Sequence, residues 1–270
     1  MKLATLKTKS RDGELIVVSK DNSKWTKASH IAPTLQSALD DWSTKGPELA
    51  KLYDSLNGGK CDSFSLDAST LHSPLPRAYQ WADGSAFIEH IKLVRKARNA
   101  PLPETLETVP LMYQGGSDTF LAPTQDIPMV DEKHGVDFEG EVAVVTDFVP
   151  MGTKEKEALK HIKLIMLCND VSLRGLIPGE LAQGFGFFQS KPSSSFAPFA
   201  VTPDELGDSW KEGRVHLPLV SHLNGKPFGS PNGDEMFFHF GQLIAHAAYT
   251  RDLGPGAIIG SGTFSNEDYS

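Results

Sequence analysis

The chain has 270 residues, of which 39% are hydrophobic and 22% are charged, and its formal net charge is −8. This composition is typical of a globular protein and excludes a disordered or fibrous one. The acidic balance argues against a nucleic-acid partner, because proteins that bind nucleic acid neutralise phosphates with a basic surface. The length allows one large domain, or a small domain followed by a larger one.

The opening sequence MKLATLKTKSRDGELIVV predicts neither a signal peptide nor a membrane anchor, because charges interrupt each apolar stretch. No later apolar run approaches the roughly 20 residues of a spanning helix. The two cysteines, Cys61 and Cys168, are far apart, and Cys168 lies in the apolar run LIMLC. A buried, reduced thiol and the absence of targeting signals favour the cytoplasm.

The N-terminal part is predicted to contain two short strands, near 3–6 and 14–18, joined by a turn at Arg11-Asp12-Gly13. Two helices follow. Thr34 or Ser37 would cap the first, and Pro47 would lie in the first turn of the second.

The segment Ser73-Pro74-Leu75-Pro76 interrupts any regular pattern, so we expect a domain boundary there. Residues 1–75 would form a small β domain with helices, and residues 76–270 a larger body. The chain's 18 prolines and 24 glycines leave little room for long helices. The predicted fold class is therefore β-rich α+β.

The most informative strand is Phe138–Val145, in which Glu139 and Glu141 point the same way. Two carboxylates at this spacing stand roughly 6 to 7 Å apart, close enough to bind one ion. The other interpretation is an acidic pair on a solvated face. Apolar residues on both faces of this strand favour burial, and like charges buried together need a counterion.

Asp170 follows the apolar run 162–167, a predicted buried strand, and is either a ligand or a turn residue. Oxygen-only ligation selects Mg²⁺, Ca²⁺ or Mn²⁺ over zinc or copper. A later helix over 236–250 would be capped by Asp234, and a last strand would cover 257–260.

The chain resembles the fumarylacetoacetate hydrolase family through three ordered motifs: DFEGEVA at 137–143, CNDVSLR at 168–174 and GSGT at 260–263. The resemblance covers most of residues 75–270. It implies a small N-terminal barrel-like domain followed by a mixed β-sandwich roll.

The resemblance also implies ligands for a Mg²⁺ or Ca²⁺ ion at Glu139, Glu141 and Asp170. Asp83 would be a fourth ligand, because it precedes His90 by seven positions, as the family's aspartate precedes its catalytic histidine. A lone histidine on a helix is otherwise more often a surface or core residue.

By the same resemblance, Arg174, Lys191, Tyr113 and Thr263 would contact substrate. Arg174 and Lys191 would also assist catalysis, although Arg174 is also compatible with a structural ion pair and Tyr113 with a core aromatic. Two positions depart from the eukaryotic hydrolases, which carry a tyrosine at Ser85 and a glutamine at Ile177, and this puts their diketo-acid substrate in doubt.

We therefore expect a metal-dependent hydrolase that cleaves a carbon–carbon bond in a β-diketo acid such as an acylpyruvate, with His90 activating water. The alternatives are a 2-oxo-acid decarboxylase, hydratase or isomerase of the same family, and a non-catalytic Ca²⁺-stabilised binding module. The resemblance implies a homodimer. It leaves open whether the chain continues beyond Ser270, so no carboxylate partner is assigned to His90.

Two further segments have more than one interpretation. The aromatic runs at 185–188 and 237–238 are predicted to be core rather than interface. The cations Lys92, Arg95, Lys96 and Arg98 have helical spacing, which is typical of a solvated face rather than a binding patch.

Overall fold

The computed structural model describes residues 1–268 and has a mixed α+β architecture dominated by one sheet. The first 75 residues form strands β1 (Lys2–Leu6), β2 (Glu14–Val18), β3 (Lys24–Lys27), β4 (Phe64–Ser65) and β5 (Leu71–His72), with helices α1 (Leu35–Leu39) and α2 (Trp42–Asn57).

The remainder contributes thirteen further strands and four α-helices within the described range. The strands are β6 (Trp81–Gly84), β7 (Met112–Gly115), β8 (Val136–Asp137), β9 (Gly140–Thr146), β10 (Ile162–Asn169), β11 (Ser172–Leu173), β12 (Ser195–Phe196), β13 (Ala200–Val201), β14 (Trp210–Lys211), β15 (Arg214–Val215), β16 (Ser221–Leu223), β17 (Lys226–Gly229) and β18 (Ile258–Gly260). The helices are α3 (Ile88–Ala97), α4 (Glu155–Ala158), α5 (Ile177–Ala182) and α6 (Phe240–Ala247).

The main sheet has the order β4-β3-β2-β1-β13-β10-β9-β18-β6-β7, with β5 beside β1 and β12 beside β10. Strands β18 and β6 are parallel, and the other pairs along this path are antiparallel. The N-terminal strands join the body where Leu3 of β1 lies opposite Ala200 of β13. The sheet therefore continues from one part of the chain into the other.

Apolar cores cover both faces of the central strands, as the alternation in 138–145 predicts. Ala143 and Val145 of β9 pack in one core with Leu35 of α1 and Leu49 of α2. Val142 and Val144 face the opposite core, which contains residues of α6. The expected burial of β9 on both faces is confirmed.

Two predicted helix starts are wrong. Helix α2 begins at Trp42, so Pro47 lies inside it rather than in its first turn. Proline has no N–H to donate to the carbonyl of Ser43, four residues earlier. Gly46 lies against the ring of Trp42 in this turn, where an added Cβ would be 3.1 Å from ring atoms.

Asp234 does not cap α6. It lies in a short 3-10 turn, Gly233–Glu235, and the helix begins at Phe240 with His239 as its N-cap. The segment between this turn and α6 is not helical. In it the N–H of Phe237 donates a hydrogen bond to the carbonyl of Ala86, 2.8 Å away.

The predicted core role of the aromatic runs is also wrong in part. Phe185 and Phe188 are exposed, and Phe237 is 43% exposed, whereas Phe238 is buried. No helix among residues 1–268 has the length and apolar character needed to cross a bilayer.

Candidate active site

Three carboxylates meet at one end of the central strands of the sheet. Asp83 lies on β6 and Glu141 on β9, and Asp170 follows β10. One oxygen from each lies within 4.8 Å of one from each of the others. The three side chains meet because β10, β9, β18 and β6 are consecutive in the sheet.

Gly260 of β18 makes room for this arrangement. Its position lies opposite Asp83 on one side and Ala143 on the other. A Cβ at Gly260 would stand 2.2 Å from Oδ1 of Asp83. The same oxygen accepts a hydrogen bond from the N–H of Gly262 at 3.1 Å. The GSGT motif therefore shapes the space that Asp83 occupies.

The trio is buried, and its charge is poorly compensated. Burial, with the nearby charge of Asp170, raises the pKa of Asp83 well above its usual value. Burial and the charge of Asp83 do the same to the pKa of Glu141. Neither oxygen of Glu141 accepts a hydrogen bond from any donor in residues 1–268. Buried carboxylate oxygens without donors fit a hard divalent cation such as Mg²⁺, Mn²⁺ or Ca²⁺.

Glu139 lies beside the trio and contacts cations instead. Its Oε2 accepts from Nζ of Lys191 at 2.7 Å, and its Oε1 lies 2.6 Å from Nη2 of Arg174. Nε2 of His90 is 3.7 Å from the same Oε1. Burial opposes ionisation of Glu139, but His90, Lys191 and Arg174 outweigh it and lower its pKa below the usual range. Three of the four predicted ligands therefore lie together. The fourth, Glu139, is linked to them through Lys191, which donates to both Glu139 and Asp170.

Lys191 is buried between the acids. Its ammonium donates to Glu139, to Oδ2 of Asp170 at 2.6 Å and to Oγ of Ser172 at 2.8 Å. Burial would lower its pKa, but the charges of Asp170 and Glu139 raise it above the usual value. Lys191 is therefore a fixed positive charge at the edge of the trio.

Tyr113 on β7 completes the surroundings of Asp170. Its hydroxyl lies 2.8 Å from both carboxylate oxygens of Asp170, and Oγ of Ser194 donates to Oδ1 at 3.0 Å. Burial and the neighbouring negative charges raise the pKa of the tyrosine well above its usual value. Tyr113 thus keeps its proton and is a hydrogen-bond donor to Asp170, with its hydroxyl satisfied as the core interpretation required.

A cavity of about 320 Å³ opens beside these groups. Its lining includes His90, Arg174 and Thr263 as well as Asp83, Tyr113, Glu139 and Lys191. Ser85 and Ile177, the two departures from the eukaryotic pattern, also line it. The residues that differ are therefore in a position to alter which molecule the cavity accepts.

Several lining residues were not predicted from the sequence, namely Arg95, Arg98, Leu181 and Phe187. The solvated-face interpretation of the cationic segment is wrong for its two arginines, although Lys92 and Lys96 are exposed. The helical spacing of this segment could have predicted one of these arginines, because positions four apart share a helix face. The series His90, Val94, Arg98 places an arginine on the face that carries the histidine.

The metal-free protein is expected to lose stability as the pH rises above roughly 4, the pKa range of carboxyl groups in the unfolded chain. The carboxyls of Asp83 and Glu141 ionise near pH 4 in the unfolded chain, and the fold keeps them protonated to higher pH. Stability from a raised pKa is present in full below the unfolded value and is lost as the pH passes the folded value. Each such carboxyl contributes a slope of roughly 1.4 kcal/mol per pH unit.

Urea unfolding with a chelator present, at several pH values, measures this slope. Glu141→Gln removes one of the two carboxyls and should flatten the curve. An equal slope in the variant would contradict the assignment of the effect to the trio.

Comparison with known families gives two matches that together span nearly the whole chain. Residues 80–269 match the family model described as fumarylacetoacetate (FAA) hydrolase C-terminal. Residues 1–77 match the model described as fumarylacetoacetase N-terminal domain 2.

Individual relatives are more distant. The chain is 29% identical over 168 residues to a 2,4-didehydro-3-deoxy-L-rhamnonate hydrolase of Sphingomonas sp., covering 61% of this chain and 55% of the relative. It is 25% identical over 183 residues to human oxaloacetate tautomerase FAHD2B, covering 67% and 54%. The chain thus matches about half the length of these curated relatives.

Among solved structures, the fold resembles that of maleylpyruvate hydrolase from Sphingobium sp. SYK-6, solved with manganese(II) and pyruvate. The TM-score is 0.69 at 16% identity, covering 97% of this chain and 88% of the other. At this identity the likeness supports the fold alone.

Proposed function

Because the chain belongs to the fumarylacetoacetate hydrolase family, a family of enzymes, we propose that it is a divalent-metal-dependent hydrolase. Its reaction would be cleavage of a carbon–carbon bond in a β-diketo acid of the acylpyruvate type. The observation that carries this proposal is the buried trio of Asp83, Glu141 and Asp170, in which Glu141 has no donor among the described residues. The proposal is strengthened by the cations and the histidine that line the adjoining cavity.

The proposed ligands are the trio and Glu139, as the family resemblance implies. A bound Mg²⁺, Mn²⁺ or Ca²⁺ ion would supply Lewis-acid polarisation of a substrate carbonyl. Manganese is present in the maleylpyruvate hydrolase structure, which supports a divalent ion of this class.

His90 is the proposed general base. Its Nε2 would take a proton from a water whose oxygen bonds to the carbonyl carbon, and return it to the carbon released when the carbon–carbon bond breaks. Glu139, 3.7 Å away, is the nearest carboxylate partner and would stabilise the protonated imidazole. Lys191 and Arg174 would stabilise the negative oxygen that forms.

Arg98 is a proposed contact for the substrate carboxylate. Among the described residues its guanidinium forms no ion pair, and burial and the nearby charge of Arg174 lower its pKa. A cation in this position gains from an anionic ligand, and guanidinium groups bind carboxylates through two hydrogen bonds. Ile91, Val94 and Leu181 provide an apolar wall for an acyl group.

Turnover of a panel of acylpyruvates, with added Mg²⁺ or Mn²⁺ and with chelator, tests the proposal. His90→Gln is expected to lower kcat by roughly 10²–10⁴-fold, the usual contribution of general-base catalysis. Divalent-ion affinity should persist in this variant. The exposed His222 provides a matched control, and His222→Gln should leave kcat unchanged. Full turnover in His90→Gln would exclude the histidine as the base.

A second candidate function is tautomerisation or isomerisation of a 2-oxo acid, because relatives at about this distance are oxaloacetate tautomerases. Decarboxylation or hydration would need the same ligands. Product analysis in ¹⁸O-labelled water separates these outcomes, since hydrolysis places one labelled oxygen in the carboxylate product. Activity that chelator abolishes while the fold persists would exclude a non-catalytic Ca²⁺ module.

A homodimer in the cytoplasm completes the proposal. Phe185 and Phe188 are exposed apolar side chains. Light scattering during size-exclusion chromatography measures the mass of the particle, and a monomer would refute the dimer.

A further inference from the structure

The segment between α5 and Lys191 has no regular secondary structure of its own. Gly184 and Gly186 have φ angles of 79° and 88°, in the left-handed region that favours glycine. Within the chain Phe185 and Phe188 are exposed, and of the three phenylalanines in this segment Phe187 packs inward, so apolar packing holds little of the segment in place. Its position must depend on other contacts.

Glu180 of α5 provides those contacts. Its carboxylate accepts hydrogen bonds from the backbone N–H groups of Phe188 at 3.0 Å, Gln189 at 2.6 Å and Ser190 at 3.0 Å. It also accepts one from the hydroxyl of Ser190. Partial burial raises the pKa of Glu180, but the four donors lower it more strongly, to about 2. The carboxylate is therefore ionised at neutral pH and fixes three consecutive residues.

Ser190 is held from a second side as well. Its carbonyl accepts a hydrogen bond from the N–H of Leu173 at 2.8 Å. Leu173 precedes Arg174, and Ser190 precedes Lys191. The backbone of two cationic residues of the site is thus fixed by one small group of hydrogen bonds, which Glu180 anchors.

The same contacts place an aromatic ring over the cavity. The ring of Phe187 packs edge-on against Tyr113 with centroids 5.2 Å apart, and the ammonium of Lys191 lies 5.7 Å from its centroid. Phe187 lines the cavity and directly precedes the first amide that Glu180 binds.

We propose that Glu180 is a positioning residue that fixes residues 188–190, so that Lys191 reaches Glu139 and Asp170 and Phe187 covers the cavity. This role deepens the proposed function. Only the turnover measurement depends on the proposed function being correct. Glutamate is suited to the role because all four partners are donors. Glutamine has a similar shape, but its amide nitrogen cannot accept hydrogen bonds from the N–H groups that it would face.

The first test is hydrogen–deuterium exchange of the peptide covering 183–192 in Glu180→Gln. Amides 188–190 are expected to exchange at least about tenfold faster than in the unaltered protein, with and without Mn²⁺, because their acceptor is impaired. Glu157→Gln is the matched control, since Glu157 is an exposed helical glutamate that contacts Lys160. Unchanged exchange at 188–190 would overturn the proposal.

The second test asks whether the effect acts through Lys191. The probe is oxalate, a planar dianion that chelates divalent ions, measured by calorimetry on the Mn²⁺-loaded protein. Glu180→Gln should weaken oxalate binding about tenfold. The affinity for Mn²⁺ itself should change less than about twofold, because Glu180 touches none of the three grouped carboxylates. In a Lys191→Met background, Glu180→Gln should have no further effect on oxalate.

An equal loss of oxalate affinity in both backgrounds would show that Glu180 does not act through Lys191, and would overturn the proposal. Turnover is a third measurement, in which Glu180→Gln is expected to lower kcat by a larger factor than it raises KM. If no keto acid is turned over by the unaltered protein, the proposed function fails. The exchange and oxalate measurements still decide the role of Glu180.

Discussion

Glutamine in place of Glu141 is expected to weaken divalent-ion binding strongly and to raise the thermal stability of the metal-free protein. Both oxygens of Glu141 are buried without a donor, next to Asp83 and Asp170. A group in this position contributes a ligand when an ion is present and like-charge repulsion when it is absent. The ion affinity should fall by more than about 100-fold, beyond the 10–100-fold typical of a residue that only supports a ligand.

The two effects are measured separately. Calorimetric titration with Mn²⁺ gives the affinity, and thermal unfolding with chelator gives the stability. The unaltered protein should gain melting temperature when Mn²⁺ is added, whereas Glu141→Gln should start higher and gain nothing. Glu157→Gln should behave as the unaltered protein in both measurements. A variant that still binds Mn²⁺ tightly would remove Glu141 from the ligand set.

Methionine in place of Lys191 is expected to have the opposite effect on the metal-free protein. Lys191 is 8% exposed and donates to Glu139 and Asp170. Its removal leaves two buried carboxylates without their common cation. Removing one partner of a buried ion pair typically costs about 3–5 kcal/mol, and we expect a loss of this size in the free energy of unfolding.

Mn²⁺ should recover part of that loss, since an ion near the acids restores positive charge. Urea unfolding with and without Mn²⁺ measures the difference. Lys51→Met, at an exposed position of α2, is the control and should change stability little. A metal-free Lys191→Met protein as stable as the unaltered one would mean that the acids are already neutral without the lysine. Catalytic activity should be lost in Lys191→Met whether or not the protein is stabilised by Mn²⁺.

One part of the site follows from a local pattern. Alternation along 138–145 predicted a strand buried on both faces, and the cores on either side of β9 confirm it. Asp83 and His90 were assigned by resemblance to the family, whose spacing they reproduce, and both line one cavity, although their roles stay predictions. The burial of β9 depends on periodicity within one strand, which the sequence displays directly.

What local patterns did not predict depends on contacts between distant segments. Glu139 precedes the first paired residue of β9, so its partners come from α3, from the turn after β11 and from the segment after α5. Pro47 and Asp234 fit capping rules, but packing and long-range hydrogen bonds moved both helix starts. Arg98 belonged to a charged helix whose inward face becomes known only when the cavity is placed against it.

The continuous sheet has a consequence for how the protein can be divided. Leu3, Leu15 and Leu49 share one apolar core with Trp81, Leu164 and Phe196. Residues 1–75 alone, or the body alone, would each expose half of that core and an unpaired strand edge at β1 or β13. We therefore expect neither piece to be an independent folding unit. Grafting the catalytic body onto another N-terminal segment would require a replacement for β1 as well as a linker.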